Sequence, residues 1–261
     1  MDRTAEIRAF YADRYDEAGR FDRRPSNRLE HLRTMELLTE LLPAAPAAVL
    51  DVGGGPGAYA RPLTSAGHRV KLLDLVPSHV DQARAGSPPV EAEVGDARSL
   101  PEKDRGYDAT LLLGPLYHLL SRADRVRALG EAVRVTRPGG LVIAAAISRF
   151  AGPLDFGATG RLEPRFLDEA RRLITDGLND PGIGFTHSYF HRVPELVGEC
   201  AEAGLTRVVV HGVEGPLWTA VAAAPDDPAV FAAALEVARI YSSEPDLVAA
   251  SAHLLAVATV P

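Results

Sequence analysis

Cysteine is all but missing from this 261-residue chain: Cys200 stands alone, which excludes an internal disulfide and any metal centre built from several thiolates. A reducing compartment fits that usage. Lysine is nearly as scarce, with Lys71 and Lys103 the only two, so arginine supplies almost all of the 28 basic residues. The 35 acids outnumber them, and the net charge of −7 argues against broad contact with a nucleic-acid backbone, whose affinity comes mainly from neutralised phosphates. No apolar run approaches the roughly 20 residues of a membrane-spanning helix. The opening stretch, MDRTAEIRAF, lacks the apolar centre of a secretory leader. A soluble, cytoplasmic protein with no membrane partner is expected. Repeats and low-complexity tracts are also lacking, and a chain that is 46 % hydrophobic buries one substantial core, so residues 1–261 are read as one domain.

What is present is a regular alternation. Residues 47–52, 69–75, 90–96, 107–114, 141–147, 207–213 and 253–260 read as seven strands. Helical stretches separate them: Pro77 opens one at its first turn, and residues 123–136 put Val126, Leu129 and Val133 on one face before RPGG at 137–140 ends it. This order predicts an α/β, doubly wound, Rossmann-like fold whose mostly parallel sheet is covered on both faces. Two helices precede it. Ile7, Phe10, Tyr11 and Tyr15 share a helical face, and a second helix from Ser26 turns Leu29, Leu32, Leu38 and Leu41 inward until Pro43. Between 148 and 193 the alternation lapses, and a helix with Pro164 at its start and Gly177 just past its end lies among loops rich in glycine and proline. That segment reads as an insertion after strand five, over the carboxyl edge of the sheet. The chain thus divides into an N-terminal helical segment (1–45), a core (46–147), the insertion (148–193) and the remainder of the sheet (194–261).

The stretch LDVGGGPGAYA, residues 50–60, joins the first strand to a helix that begins no earlier than about Tyr59. In an open α/β sheet ligands bind beyond the carboxyl ends of the strands, where the strand order reverses. Gly53, Gly55 and Ala58 nearly satisfy a dinucleotide fingerprint, with Asp74 about 20 residues on to take ribose hydroxyls. Two residues argue against a pyrophosphate. Pro56 removes a backbone N–H that such a group needs, and Asp51 sets a carboxylate beside the same turn, which repels a dianion and suits an ammonium or a sulfonium. Asp96 in VGDA is a third acid, so three successive strands end in carboxylates that fit a ligand with cationic and hydroxyl groups.

The motifs VLDVGGGPG, LLDLVP, VGDA, YDATLLLGPLYHLL and RVTRPGGLVI resemble, in order and separation, those of class I S-adenosylmethionine-dependent methyltransferases over roughly residues 45–147. The resemblance implies S-adenosylmethionine as cofactor and a sheet whose last strand is antiparallel. It sets Asp51, Gly53, Gly55 and Gly57 around the methionine half, Asp74 on the ribose with Leu75 beside the adenine, Asp96 on the adenine amino group with Ala97 next to it, and Leu113 and Gly114 at the aminocarboxylate. FYADRYDE is similar to the helical lid of small-molecule members, which would bring Tyr11 and Tyr15 over the sulfonium. Arg33 is a candidate partner for the cofactor carboxylate.

Methyl transfer to a small-molecule acceptor follows as the expected reaction, with no metal and the O, N, C or S acceptor atom open. The enzyme must align the acceptor and exclude water, and a base is needed only where the acceptor loses a proton. His118, just past the fourth strand, is the first candidate, followed by His187 and His191, with Tyr117 and Tyr189 as polar positioning groups. His31, His68, His79 and His211 read as structural, His253 as packed at the start of the last strand, and Trp218 as a core residue that also borders the site. Three other readings stand beside this one: a nicotinamide-dependent oxidoreductase, a non-catalytic module that binds S-adenosylmethionine, and a tRNA or peptide methyltransferase. The last would use an arginine-lined groove, and the Arg20, Arg23 and Arg24 cluster is interleaved with Asp22.

Overall fold

The computed structural model describes residues 4–13, 15–179, 181 and 185–261. Arg14, within the helix expected around Tyr11 and Tyr15, and residues 180 and 182–184 of the expected insertion lie outside the described residues. Two helices, α1 (Thr4–Asp13) and α2 (Pro25–Leu41), precede the sheet. There follow β1 (Ala48–Val52), α3 (Ala60–Ser65), β2 (Arg69–Asp74), α4 (Pro77–Ala85), β3 (Glu91–Val94), β4 (Tyr107–Leu112), α5 (Pro115–His118), α6 (Arg122–Val135) and β5 (Thr136–Ser148). The insertion contributes α7 (Ala151–Ala158), α8 (Pro164–Asp176), β6 (Leu178–Asn179) and β7 (Ser188–His191). The chain closes through α9 (Val193–Glu202), β8 (Thr206–Gly212), α10 (Trp218–Ala223), α11 (Pro228–Ile240) and β9 (His253–Thr259).

Successive strand residues point to opposite faces, and the apolar strands here serve both. Val49, Leu111 and Ile143 pack with Leu38, Leu63, Val80 and Ala83 on one face. Leu50, Val52, Leu112, Val142 and Ala144 pack with Leu129, Val135, Leu196 and Cys200 on the other. Burial pushes the Cys200 thiol up to about 12, so this lone cysteine is an unreactive core residue. β1 lies between β2 and β4 and is parallel to both, which makes it the point where strand order reverses. β9 runs antiparallel between β5 and β8, from Leu141↔Thr259 to Ile147↔His253. An antiparallel last strand therefore begins at the edge where the parallel strands end, and His253 sits there.

All seven expected strands form, but β6 and β7 enlarge the sheet. Pairing of β4 with β5 stops at Leu112↔Ala144, and β7 joins the far end of β5 in parallel at Ile147↔Phe190 and Ser148↔His191. The backbone groups left over at that end need partners, and β7 supplies them. RPGG is not a separate turn. α6 ends at Val135, and residues 137–140 form an irregularity within β5, where the register shifts between Tyr107↔Thr136 and Ala109↔Leu141. Gly139 donates its N–H to Val260 O at 2.8 Å there, which ties this irregularity to the end of the chain. α1 stops at Asp13, so Tyr15 follows the helix instead of belonging to it.

Candidate functional site

The reversal at β1 opens a cleft at the carboxyl ends of β1, β2 and β4, roofed by α1 and enclosing about 990 Å³ of empty space, part of it open to solvent. The glycine turn forms its floor. Gly53 has φ +72°, and a Cβ there would meet the Pro115 ring at 2.7 Å, so the position admits only glycine without displacement. Asp74, at the end of β2, accepts the N–H of Gly55 and that of Val76, both at 2.8 Å, and has His79 Nδ1 3.3 Å away. One carboxylate thus fastens the glycine turn to the next strand. Leu75, Ala97, Leu113 and Gly114 line the cleft, as does Asp96, which holds the Arg98 guanidinium at 2.7 Å.

α1 is tied down on both sides. Arg8 Nε donates to Leu75 O at 2.9 Å, while the Tyr11 hydroxyl lies 2.9 Å from His118 Nε2, and His118 Nδ1 lies 3.2 Å from the Thr186 hydroxyl. Burial, against the opposing charge of Asp74, lowers the His118 pKa to about 4. His118 is therefore neutral near pH 7 and a weak base, with both ring nitrogens engaged by hydroxyls.

A second cavity adjoins the cleft. Tyr11, Glu17, Arg20 and Tyr117 line both. Part of the lining of the second cavity is apolar, with Ile147, Ala151, Phe185, Phe190 and Trp218. The rest is polar: Arg20 pairs with Glu30 and, at 3.4 Å, with Glu17, and Glu214 faces His253. Glu214 accepts the Ser251 hydroxyl at 2.7 Å and the His253 N–H at 2.9 Å through one oxygen, and its other oxygen is 2.5 Å from His253 Nδ1. His253 Nε2 is 3.9 Å from Glu30 Oε1. Burial works against the imidazolium, but the charges of Glu30 and Glu214 outweigh it and raise the His253 pKa above the ordinary value.

The structure gathers Tyr11, Gly53, Gly55, Asp74, Leu75, Asp96, Ala97, Leu113, Gly114, Tyr117 and His118 at the cleft. Tyr15 and Trp218 line the second cavity instead. Other expected residues lie elsewhere. Asp51 is fully buried beneath the turn, where Gly54 leaves no room for a side chain above it, and neither of its oxygens has a hydrogen-bond partner among the described residues. Burial, with Asp74 nearby, pushes its pKa up to about 7. Gly57 faces Arg61 and Ala83. Arg33 is buried on α2 against Glu36, outside the cleft, whose guanidinium groups among the described residues are those of Arg20 and Arg98.

His187 points to Glu6 of α1, with Nε2 and Oε1 3.5 Å apart. His191 is fully buried, with Nε2 3.2 Å from Glu199 in an ion-pair network that includes Arg125, and this burial removes it from either cavity. Tyr189 belongs to the same network, its ring 3.7 Å beneath the Arg125 guanidinium. Sequence reasoning missed Glu17, Glu30, Glu214 and the position of His253. The signal for His253 was topological, since the first residue of an antiparallel last strand must emerge at the ligand-binding edge.

Residues 49–140 match a family model described as a methyltransferase domain. An uncharacterized methyltransferase of Mycobacterium tuberculosis is 38 % identical over 105 residues, 40 % of this chain and 42 % of that protein. A demethylmenaquinone methyltransferase of Renibacterium salmoninarum is 32 % identical over 117 residues, 44 % of this chain and 48 % of its own length. The chain thus spans less than half the length of these curated relatives, and similar proteins extend to a probable tRNA methyltransferase of Homo sapiens, 34 % identical over 108 residues, 41 % of this chain and 22 % of that one. Among solved structures, a SAM-dependent methyltransferase of Thermotoga maritima described as a possible histamine N-methyltransferase covers 98 % of both chains with a TM-score of 0.62 at 19 % identity, which is likeness of fold.

Proposed function

We propose, from the premise that residues 49–140 are the cofactor core of a class I S-adenosylmethionine-dependent methyltransferase, that this chain transfers a methyl group to a small-molecule acceptor. The observation that carries this reading is the pair of adjoining cavities with a shared wall of Tyr11, Glu17, Arg20 and Tyr117. The first fits the cofactor. Asp74 retains lone pairs for ribose hydroxyls, Leu75 and Ala97 offer apolar surface to a base, and Asp96 stands at the end of that pocket. Arg20 takes the part first expected of Arg33 as partner for a carboxylate. Asp51, buried beneath the turn with its pKa pushed up to about 7, is only part ionised near neutrality; a cationic ligand above it would favour its carboxylate form, whereas a pyrophosphate would oppose it. When bound, S-adenosylmethionine supplies a methyl group already activated by its sulfonium.

The chain's own contribution is alignment and exclusion of water. Tyr11 and Tyr117 offer aromatic faces toward a cation at the junction of the cavities. His118 positions Tyr11 by its hydrogen bond, and through Thr186 it links α1 to the insertion. A small acceptor is favoured over an RNA backbone because the arginines of the second cavity are already matched to carboxylates: Arg20 to Glu17 and Glu30, and Arg24 to Asp155 at 3.8 Å.

Calorimetric titration with S-adenosylmethionine, S-adenosylhomocysteine and NADH tests the reading. Binding of the first two, lost in Asp74→Ala, is the expected result. Preference for NADH would return the glycine turn to the dinucleotide reading.

A further inference from the structure

We infer that the second cavity receives an acceptor with a flat apolar body and an acidic hydroxyl, and that His253, oriented by Glu214, takes up the hydroxyl proton. The inference deepens the methyl-transfer reading and rests on it. The cavity is lined by two kinds of side chain, and each suits part of such a molecule. Phe185, Phe190, Trp218 and Ile147 offer apolar surface to a ring, while His253, Glu30 and Arg20 line the same cavity, with His253 beside Ile147 in strand register. Glu214 fixes Nδ1 as the donor nitrogen by its 2.5 Å contact, which leaves Nε2 as the acceptor. That nitrogen lies 3.9 Å from Glu30 Oε1, and both residues line the cavity.

A built base decides among acceptors. A neutral amine attacks before it loses its proton, and a thiol ionises readily, whereas a hydroxyl needs its proton removed during attack. The O–H proton passes to His253 Nε2. The oxygen electron pair forms the O–CH3 bond as the S–CH3 bond breaks and leaves its electrons on sulfur. A neutral ether and thioether result, with an imidazolium held between Glu30 and Glu214. The charged groups that face His253 are Glu30 from α2, Glu214 beyond β8 and Arg20 before α2, and their net effect strengthens it as a proton acceptor.

The same cluster offers one ligand atom each from Glu30, Glu214 and His253 within 4.8 Å of one another, as a cation site would. Two of these groups are already engaged: Arg20 neutralises Glu30, and the Ser251 hydroxyl and the His253 N–H occupy one oxygen of Glu214. A proton-accepting pair fits that pattern better than an ion.

The test uses the whole chain saturated with S-adenosylhomocysteine and 4-nitrophenol as probe, whose phenolate absorbs in the visible. Bound probe should ionise at lower pH than free probe, with the phenolate fraction near neutrality raised about tenfold in the equilibrium constant, a change equal to one pH unit. His253→Gln and His253→Asn should abolish that shift, and Glu214→Gln should reduce it. Calorimetry with S-adenosylhomocysteine on each variant reads folding and the cofactor cleft separately. Intact S-adenosylhomocysteine binding with no bound probe, or with the same ionisation in wild type and both His253 variants, overturns the inference and leaves the methyl-transfer reading standing. Abolition of the shift by EDTA, with its return on addition of ZnCl2, overturns it in favour of a cation. Failure of the wild type to bind S-adenosylhomocysteine overturns both.

Discussion

Replacing Glu199 by alanine strands the guanidinium of Arg125 in the interior. Their side chains are 1 % and 2 % exposed and meet through three contacts of 2.6 to 3.1 Å, with His191 Nε2 on the same carboxylate at 3.2 Å. Breaking a buried pair by removing one partner costs about 3–5 kcal/mol. Arg125 keeps two carbonyl acceptors, Leu119 O and Leu120 O at 2.9 Å, which favours the lower end of that range. At about 2–4 °C per kcal/mol for a chain of this size, Tm should fall by roughly 6–12 °C. The pH dependence adds a second signature. Burial opposes ionisation of Glu199, but its bonds to His191 and Arg125 prevail and hold its pKa below the ordinary 4.5, while burial lowers that of His191 below 6.5. Both groups therefore bind protons more readily when unfolded. Stability present at neutrality is lost as pH falls, first below about 6.5 and then through the carboxylate range. Thermal melts followed by circular dichroism from pH 8 to pH 4 should show this slope in wild type; in Glu199→Ala the carboxylate part is lost, while His191, deprived of the carboxylate that raised its pKa against burial, gives a steeper decline below about pH 6.5. A Tm within about 2 °C of wild type, or an unchanged slope, would refute the assignment of His191 to structure.

Gly53→Ala places a Cβ 2.7 Å from Pro115 at φ +72°, so a strain of about 1–3 kcal/mol should appear as roughly 5- to 150-fold weaker binding of S-adenosylhomocysteine by calorimetry. Tyr11→Phe removes the 2.9 Å contact to His118, and the loss of about 0.5–1.5 kcal/mol should speed S-adenosylhomocysteine release by roughly two- to tenfold in stopped-flow fluorescence. Asp51 supplies the opposite pH slope to Glu199. With its pKa raised from 3.8 to about 7, the ligand-free fold is favoured by protonated Asp51, so stability falls as pH rises through that interval by roughly 4 kcal/mol, and Asp51→Asn should flatten the decline in denaturant titrations.

The core was legible because its signals are local. Five buried strands, the glycine turn and the acids that end β1 and β2 each announce themselves within a few residues, and parallel pairing follows from the helices between them. β6 and β7 have two and four residues, too few to carry a period, and their pairing depends on where β4 stops. Which arginine faces the cleft was beyond reach for a related reason. Arg33 and Arg20 look alike in sequence, and only the packing of α2 turns Arg33 toward Glu36 while Arg20 meets Glu30. His191 reads as a candidate base until its neighbours are known, because burial beside Glu199 is a property of two segments brought together. His253 and Glu214, separated by 39 residues, become a pair only through the antiparallel pairing of β8 with β9 across the intervening α10 and α11.

β7 is stitched to the sheet by only two residue pairs, Ile147↔Phe190 and Ser148↔His191. The residues around the first cleft all precede position 120, whereas much of the second cavity comes from residues 147–253. The two chambers are thus written on separate pages of one chain. The later page can be redrafted in length, shape and charge while the earlier one stands, within the limit set by Tyr11, Glu17, Arg20 and Tyr117, which belong to both.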